Sequence, residues 1–135
     1  MDIRDLLTEK RLRNLEEMVA EIPVEELKSK MDRGEMFKLV EVSNKQHYEQ
    51  RHIQDAVNIP LASLKEVALQ KFQTFQQIVV YCQESNSSVG KVAARILQES
   101  GFPNVLLLKG GKEAWQNAGL PLKSSKVETS QKETS

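Results

Sequence analysis

A single cysteine, Cys82, stands where an apolar run gives way to a polar one, in I-V-V-Y-C-Q-E-S-N-S-S-V-G-K over residues 78 to 91. A cysteine can serve as nucleophile, metal ligand or disulfide half, in the first two cases as thiolate. With two histidines, His47 and His52, and no second cysteine, the chain lacks the ligand spacing of a zinc site and cannot close an internal disulfide. No metal or cofactor is expected, and Cys82 reads as a reduced thiol. The following residues, Gln83 to Ser88, contain nothing that seeks a core, so they read as a tight exposed loop running into a helix. At a helix start the unpaired backbone N–H groups and the positive end of the dipole favour an anion, here the nucleophilic thiolate. The same local pattern also suits a small hydrophobe buried at a strand end, and it does not separate the two.

The elements that must position this thiol alternate along the chain. Residues 1 to 21 have helical composition, with Leu12, Leu15, Val19 and Ile22 at helical spacing. Pro23 fits the first turn of a helix over V-E-E-L-K-S-K-M-D-R, which Gly34 ends as a left-handed cap. F-K-L-V-E-V predicts a strand, Asn44 caps a short helix through Tyr48 and Glu49, and A-V-N-I-P predicts a brief buried strand. Leu61 to Phe72 reads as helix and Gln77 to Tyr81 as a buried strand. Ser88 to Ser100 reads as a helix with Val89, Val92, Ala93, Ile96 and Leu97 on one face. N-V-L-L-L-K is another buried strand, Gly110 and Gly111 turn the chain, and K-E-A-W-Q-N-A is a short helix. Apolar strands alternating with amphipathic helices predict an α/β fold with a parallel sheet covered on both faces, whose ligands bind beyond the carboxyl ends of the strands. Cys82 sits at such an end.

Composition narrows the partners. The 135 residues suit one globular domain, and the 19 basic and 19 acidic residues cancel. No basic block occurs and aromatics are only 5%, which argues against nucleic acid as a partner. The amino terminus interrupts every apolar pair with charge, unlike a signal peptide, and no apolar run reaches the ~18 residues a membrane span needs. A cytoplasmic protein is expected.

The segments I-P-V-E-E-L-K-S-K-M-D-R-G-E-M-F-K-L-V-E-V-S, H-Y-E-Q-R-H-I-Q-D-A-V-N-I-P, I-V-V-Y-C and N-V-L-L-L-K-G-G-K-E-A-W-Q-N-A-G-L-P resemble, in order and spacing, a single-domain rhodanese. The most specific piece is L-x-G-G-x-x-A-W-x-x-x-G-x-P, matched at Leu108, Gly110, Gly111, Ala114, Trp115, Gly119 and Pro121. The resemblance implies a five-stranded parallel sheet with helices on both faces over residues 22 to 122. It leaves residues 1 to 21 as a helical extension, able to pack on the domain or across a homodimer interface, and 123 to 135 as a polar tail expected to be disordered. It also implies that Cys82 takes sulfane sulfur from thiosulfate, polysulfide or a protein persulfide and passes it to cyanide or a thiol, small or on a protein. Gln83, Glu84, Ser85, Asn86 and Ser87 would hold the sulfur through their backbone amides. The alternative is a binding or regulatory module that keeps the fold without the chemistry.

The loop departs from the pattern of the family, which often reads C-R-x-G-x-R or C-R-x-G-x-T. Gln83 replaces an arginine, Ser85 a glycine, and Glu84 adds a carboxylate. Related phosphatases need Cys, five residues, then Arg, where this chain has Ser88. His52 is expected to hold a turn rather than act as a base, Tyr48 and Trp115 to pack, and Gly110 and Gly111 to turn the chain rather than cradle a nucleotide. The loop changes all disfavour an anionic donor and its thiolate attacker. Gln83→Arg with Glu84→Ser and Ser85→Gly is therefore predicted to raise thiosulfate:cyanide sulfurtransferase turnover at least tenfold, about 1.4 kcal/mol of barrier. The gain should shrink in high salt; a folded variant with no gain at low ionic strength would show that loop composition is not limiting.

Overall fold

A computed structural model describes residues 19 to 83 and 88 to 125. Strand β1 (Ala20–Ile22) leads into α1 (Val24–Asp32), then β2 (Lys38–Glu41), α2 (Lys45–Gln50) and β3 (Val57–Asn58). A single 3-10 turn (Leu61–Ser63) precedes α3 (Leu64–Lys71), followed by β4 (Ile78–Tyr81), α4 (Val89–Glu99), β5 (Val105–Leu108) and α5 (Gly111–Asn117). The five strands form one sheet in the order β1-β5-β4-β2-β3, every pairing parallel. This is the α/β architecture that the alternation predicts.

β4 lies at the centre, and all four of its residues are fully buried. Side chains of a strand alternate between faces, so Ile78, Val80 and Cys82 join the core beneath α3 and α4, with Val40, Leu64, Ala93, Ala94 and Leu97. Val79 and Tyr81 join the opposite core, with Ile22, Leu27, Leu39, Ile53, Leu108 and Trp115. The thiol and the preceding phenol thus point into different layers. Among the described residues no helix is long and apolar enough to cross a membrane.

Local signals set most boundaries. Asn44 caps α2 by accepting the His47 amide at 2.8 Å, and Gly34 ends α1 with φ +70°. Trp115 is buried, its indole N–H donating to the Pro121 carbonyl at 2.9 Å.

Three departures from the sequence pattern have physical causes. Helical spacing through Ile22 predicts a helix, yet Ala20–Ile22 is an edge strand on β5, with Ile22 buried. Three residues are too few for a period, and Pro23, lacking an N–H, closes the strand. The remainder of the expected amino-terminal helix, with Leu12 and Leu15, lies outside the described residues. On α4 the inward stripe is Gly90, Ala93, Ala94 and Leu97, and Val92 is exposed, so the buried face is rotated toward the small residues. Gly90 must be small: a Cβ there would stand 2.7 Å from Leu107 Cδ1. At the carboxyl end, Lys123 pairs with His52 and Ser124 donates to the Glu49 carbonyl at 3.1 Å, so the polar tail begins bonded to the domain; residues 126 to 135 lie outside the described ones.

Two glycines offer a test of the turn into α5. Gly110 has φ +82°, and an added Cβ would lie 2.5 Å from Ala114 Cβ, whereas Gly34 has φ +70° and open space around it. Gly34→Ala should cost about 1 kcal/mol from backbone strain alone, and Gly110→Ala about 2–4 kcal/mol because overpacking adds to strain. Urea unfolding of both variants checks the difference; equal costs would show that the contact with Ala114 relaxes freely.

Candidate active site

Cys82 follows the central strand and is 8% exposed, its thiol directed at the first turn of α4. The thiol lies 3.5 Å from where a Cβ on Gly90 would stand, so the residue that lets α4 approach β5 also brings the helix start against the sulfur. The Cys82 carbonyl accepts the Lys112 amide at 2.9 Å and the Gln83 carbonyl accepts the Glu113 amide at 3.1 Å. The first-turn N–H groups of α5 therefore hold the start of the loop. Of the predicted loop residues, Gln83 is exposed and lines a cleft, and Glu84, Ser85, Asn86 and Ser87 lie outside the described residues.

Behind the thiol, on the opposite face, lies a polar network that the sequence motifs do not announce. The β2–β4 register sets Glu41 beside Tyr81. Glu41 is fully buried; its Oε1 accepts the Tyr81 hydroxyl at 2.7 Å, and its Oε2 accepts the Lys112 ammonium at 2.7 Å and the Ser43 hydroxyl. The Tyr81 oxygen in turn accepts the Ile53 amide at 3.0 Å. Lys112 spends its remaining donors on the carbonyls of His47, at 3.2 Å, and Arg51. Burial, reinforced by the Glu41 charge, pushes the Tyr81 phenol far above the ordinary tyrosine range, and the same two causes raise Tyr48. Glu41 could be suspected from sequence as a charge inside an apolar strand; Lys112, after a glycine turn, gave no such signal.

His52 does hold a turn. It is buried, its Nδ1 lies 2.8 Å from the Tyr48 carbonyl, and its ring stacks on Tyr48 with centroids 4.1 Å apart. Tyr48 meanwhile donates to the Ala56 carbonyl at 2.6 Å.

Comparison with known proteins decides the family. The model of the rhodanese-like domain matches residues 23–118. The chain belongs to the rhodanese-like domain family. A sulfurtransferase of Allochromatium vinosum is 30% identical over 105 residues, covering 78% of this chain and 95% of that protein. A Synechocystis protein, slr1261, is 35% identical over 88 residues, 65% of this chain but 48% of that protein, so the match spans about half its length. The solution structure of the rhodanese-like domain of Anabaena Alr3790 aligns with a TM-score of 0.72 at 29% identity, covering 79% of this chain and 80% of that one.

Two predictions follow from the buried network of this rhodanese-like domain. Lys112→Met leaves the buried Glu41 carboxyl without its ammonium partner, and should cost about 3–5 kcal/mol; adding Glu41→Gln should recover much of the loss. Denaturant unfolding of both variants checks this, and a single variant as stable as the parent would contradict it. The phenol gives the second. Because folding raises the pKa of Tyr81, its contribution is complete below the ordinary tyrosine value of about 10 and declines as pH rises past it, when only the unfolded chain ionises. Tyr81→Phe should cost about 1–3 kcal/mol near neutral pH, where Glu41 and the Ile53 amide lose a partner. It should also flatten the fall in stability above pH ~10, leaving the part due to Tyr48.

Proposed function

We propose that this chain is a sulfurtransferase or persulfide carrier in which Cys82 is the nucleophile. The Cys82 thiolate attacks the outer sulfur of a donor such as thiosulfate. A bond forms between Sγ and that sulfur, the donor S–S bond breaks, and sulfite leaves with the electron pair. The resulting Cys82 persulfide passes its outer sulfur to cyanide or a thiol, returning Cys82 as thiolate. No oxidant or cofactor enters the cycle.

The observation that carries this reading is the placement of the thiol. Cys82 lies immediately past the central strand of a parallel sheet, against the first turn of α4, with its own carbonyl held by α5. Helix starts favour anions, so the position suits a thiolate and the anionic persulfide that replaces it. The sulfurtransferase from Allochromatium, which this chain matches over nearly that protein's whole length, supports the same reaction class.

A second reading has its own support. Gln83 stands where the family pattern often has arginine, and the segment 82 to 87 contains no cation to draw an anionic donor. A rhodanese-like module that binds a partner without turnover would have this character. Mass spectrometry after incubation with thiosulfate, and separately with polysulfide, distinguishes the two. The sulfurtransferase reading predicts the gain of one sulfur mapped to Cys82, loss of that sulfur on adding cyanide, and no gain in Cys82→Ser of unchanged unfolding midpoint. A thiol that alkylates normally and gains sulfur from neither donor would establish the binding module instead.

A further inference from the structure

The two faces of the sheet are covered unequally. On the face opposite the thiol, α1, α2 and α5 all pack side chains on the core; on the face that receives Cys82, among the described residues, only α3 and α4 do. α3 leads from β3 to β4 and α4 from β4 to β5, and α4 packs on β4 and β5, so both helices lie over the middle of the sheet. β1 stands beyond β5 and is served by neither connection. Parallel sheets are covered on both faces, which leaves one place in this layer to be filled, over β5 and β1.

The chain enters that place from its own side. Side chains of β1 alternate, so Ile22 joins the core beneath α1 and α5, whereas Glu21, in register with Leu107, and Val19 before it face the α4 side. Val19 is half-buried and packs on the same core as Val105 and Leu107, and Glu21 is exposed and marks the outer rim. The strand therefore begins with an apolar side chain turned into the layer that is one helix short. Residues 1 to 18 contain neither proline nor glycine, and Leu12 and Leu15 share one helical stripe with Val19, at i, i+3 and i+7. At 1.5 Å per residue such a helix reaches about 27 Å, against about 17 Å for the eleven residues of α4. With the right-handed crossover of a β-α-β unit, the flank of α4 that bears Lys91 and Gln98 turns toward β1, and the flank that bears Val89 and Ile96 turns toward α3.

We propose that residues 1 to 18 dock as a helix over β5 and β1, beside α4, with Leu12 and Leu15 continuing the apolar line that Val19 begins. The helix runs antiparallel to β1, as a direct passage into Val19 requires, so its beginning lies toward the carboxyl edge that holds Cys82. The occupant is the chain's own segment, because a chain that arrives at Val19 already stands at the entrance of this place, and a second copy would have to displace it. A competing apolar surface lies at the amino edge, where Met36 is 92% and Phe75 74% exposed around a groove at the starts of β2, β4 and β5. Val19 directs the segment to the α4 layer instead, since its side chain already packs on that core. This placement is independent of the persulfide chemistry.

Paramagnetic broadening of amide signals in the full chain tests the placement. A nitroxide on Lys91→Cys, an exposed position on the flank of α4 nearest β1, in a Cys82→Ser background, should broaden the amides of residues 7 to 15. A nitroxide on Met36→Cys in the same background should broaden them less. When the nitroxide-bearing chain without isotope enrichment is mixed with enriched chain lacking the nitroxide, the amides should stay sharp. Broadening in that mixture would overturn the proposal in favour of a second copy. No broadening from Lys91→Cys, or stronger broadening from Met36→Cys, would also overturn it. Packing has its own readout: Leu15→Asp should lower the urea midpoint of the full chain, and Leu6→Asp, on the opposite side of the helical wheel, should leave it unchanged. Should the aspartate variant fail to fold, Leu15→Ala should still lower the midpoint by a smaller step, and a midpoint equal to that of the parent would count against the docked stripe.

Discussion

A carboxylate and an ammonium shut away from water hold the carboxyl edge of this sheet together. Removing the two charges of Glu41 and Lys112 from solvent costs several kcal/mol each after relaxation, so such a pair is tolerated only where every remaining donor and acceptor is met. Here both carboxylate oxygens are bonded, and the ammonium reaches Glu41 and two carbonyls of the α2 segment. No buried side-chain nitrogen or oxygen is left without a partner among the described residues. The pair joins the end of β2, the end of α2 and the start of α5, and the backbone of Lys112 carries the Cys82 carbonyl. The position of the thiol thus depends on an interaction that never touches the sulfur. Such pairs contribute more to fixing one arrangement than to net stability, because well-packed apolar residues often replace them without loss.

The alternation of a single strand divides the labour. Tyr81 faces inward to the charged network and Cys82 faces α4. A one-residue slip in the register of β4 would exchange the two, placing the phenol under α4 and the thiol beside Glu41, which would oppose a thiolate. Full burial of β4 between β2 and β5 is what forbids that slip.

The fold was readable in the sequence because its signals are local: apolar runs, an asparagine cap, a left-handed glycine after α1, and the Gly110–Trp115 segment. Cys82 was readable as the candidate nucleophile because it stands alone at a strand end. β1 was not, since three residues carry no period and its strand character comes from β5, far along the chain. Nor was the inward face of α4, where close approach selects Gly90 and Ala94 over larger valines. The partnership of Glu41 with Lys112 joins positions 71 residues apart, and only the folded register brings them together.

The pairing of β1 with β5 also sets an order of assembly. Among the described residues the first strand of the sheet has no neighbour until the last has been made, because there Ala20–Ile22 pairs with Leu106–Leu108 and with no other strand. On a ribosome, chain emerging from the exit tunnel could form the β3-β2-β4 part of the sheet first, with one flank of β4 still open where β5 will sit. Closing so long a loop carries an entropic cost and slows folding relative to local pairings. Until β5 is synthesised, the apolar central strand presents an unpaired edge, the kind of surface on which nascent chains associate wrongly. The segment that completes this edge is followed at once by the glycine turn and Lys112, so protection of the sheet and fixation of the thiol arrive in the same few residues of synthesis.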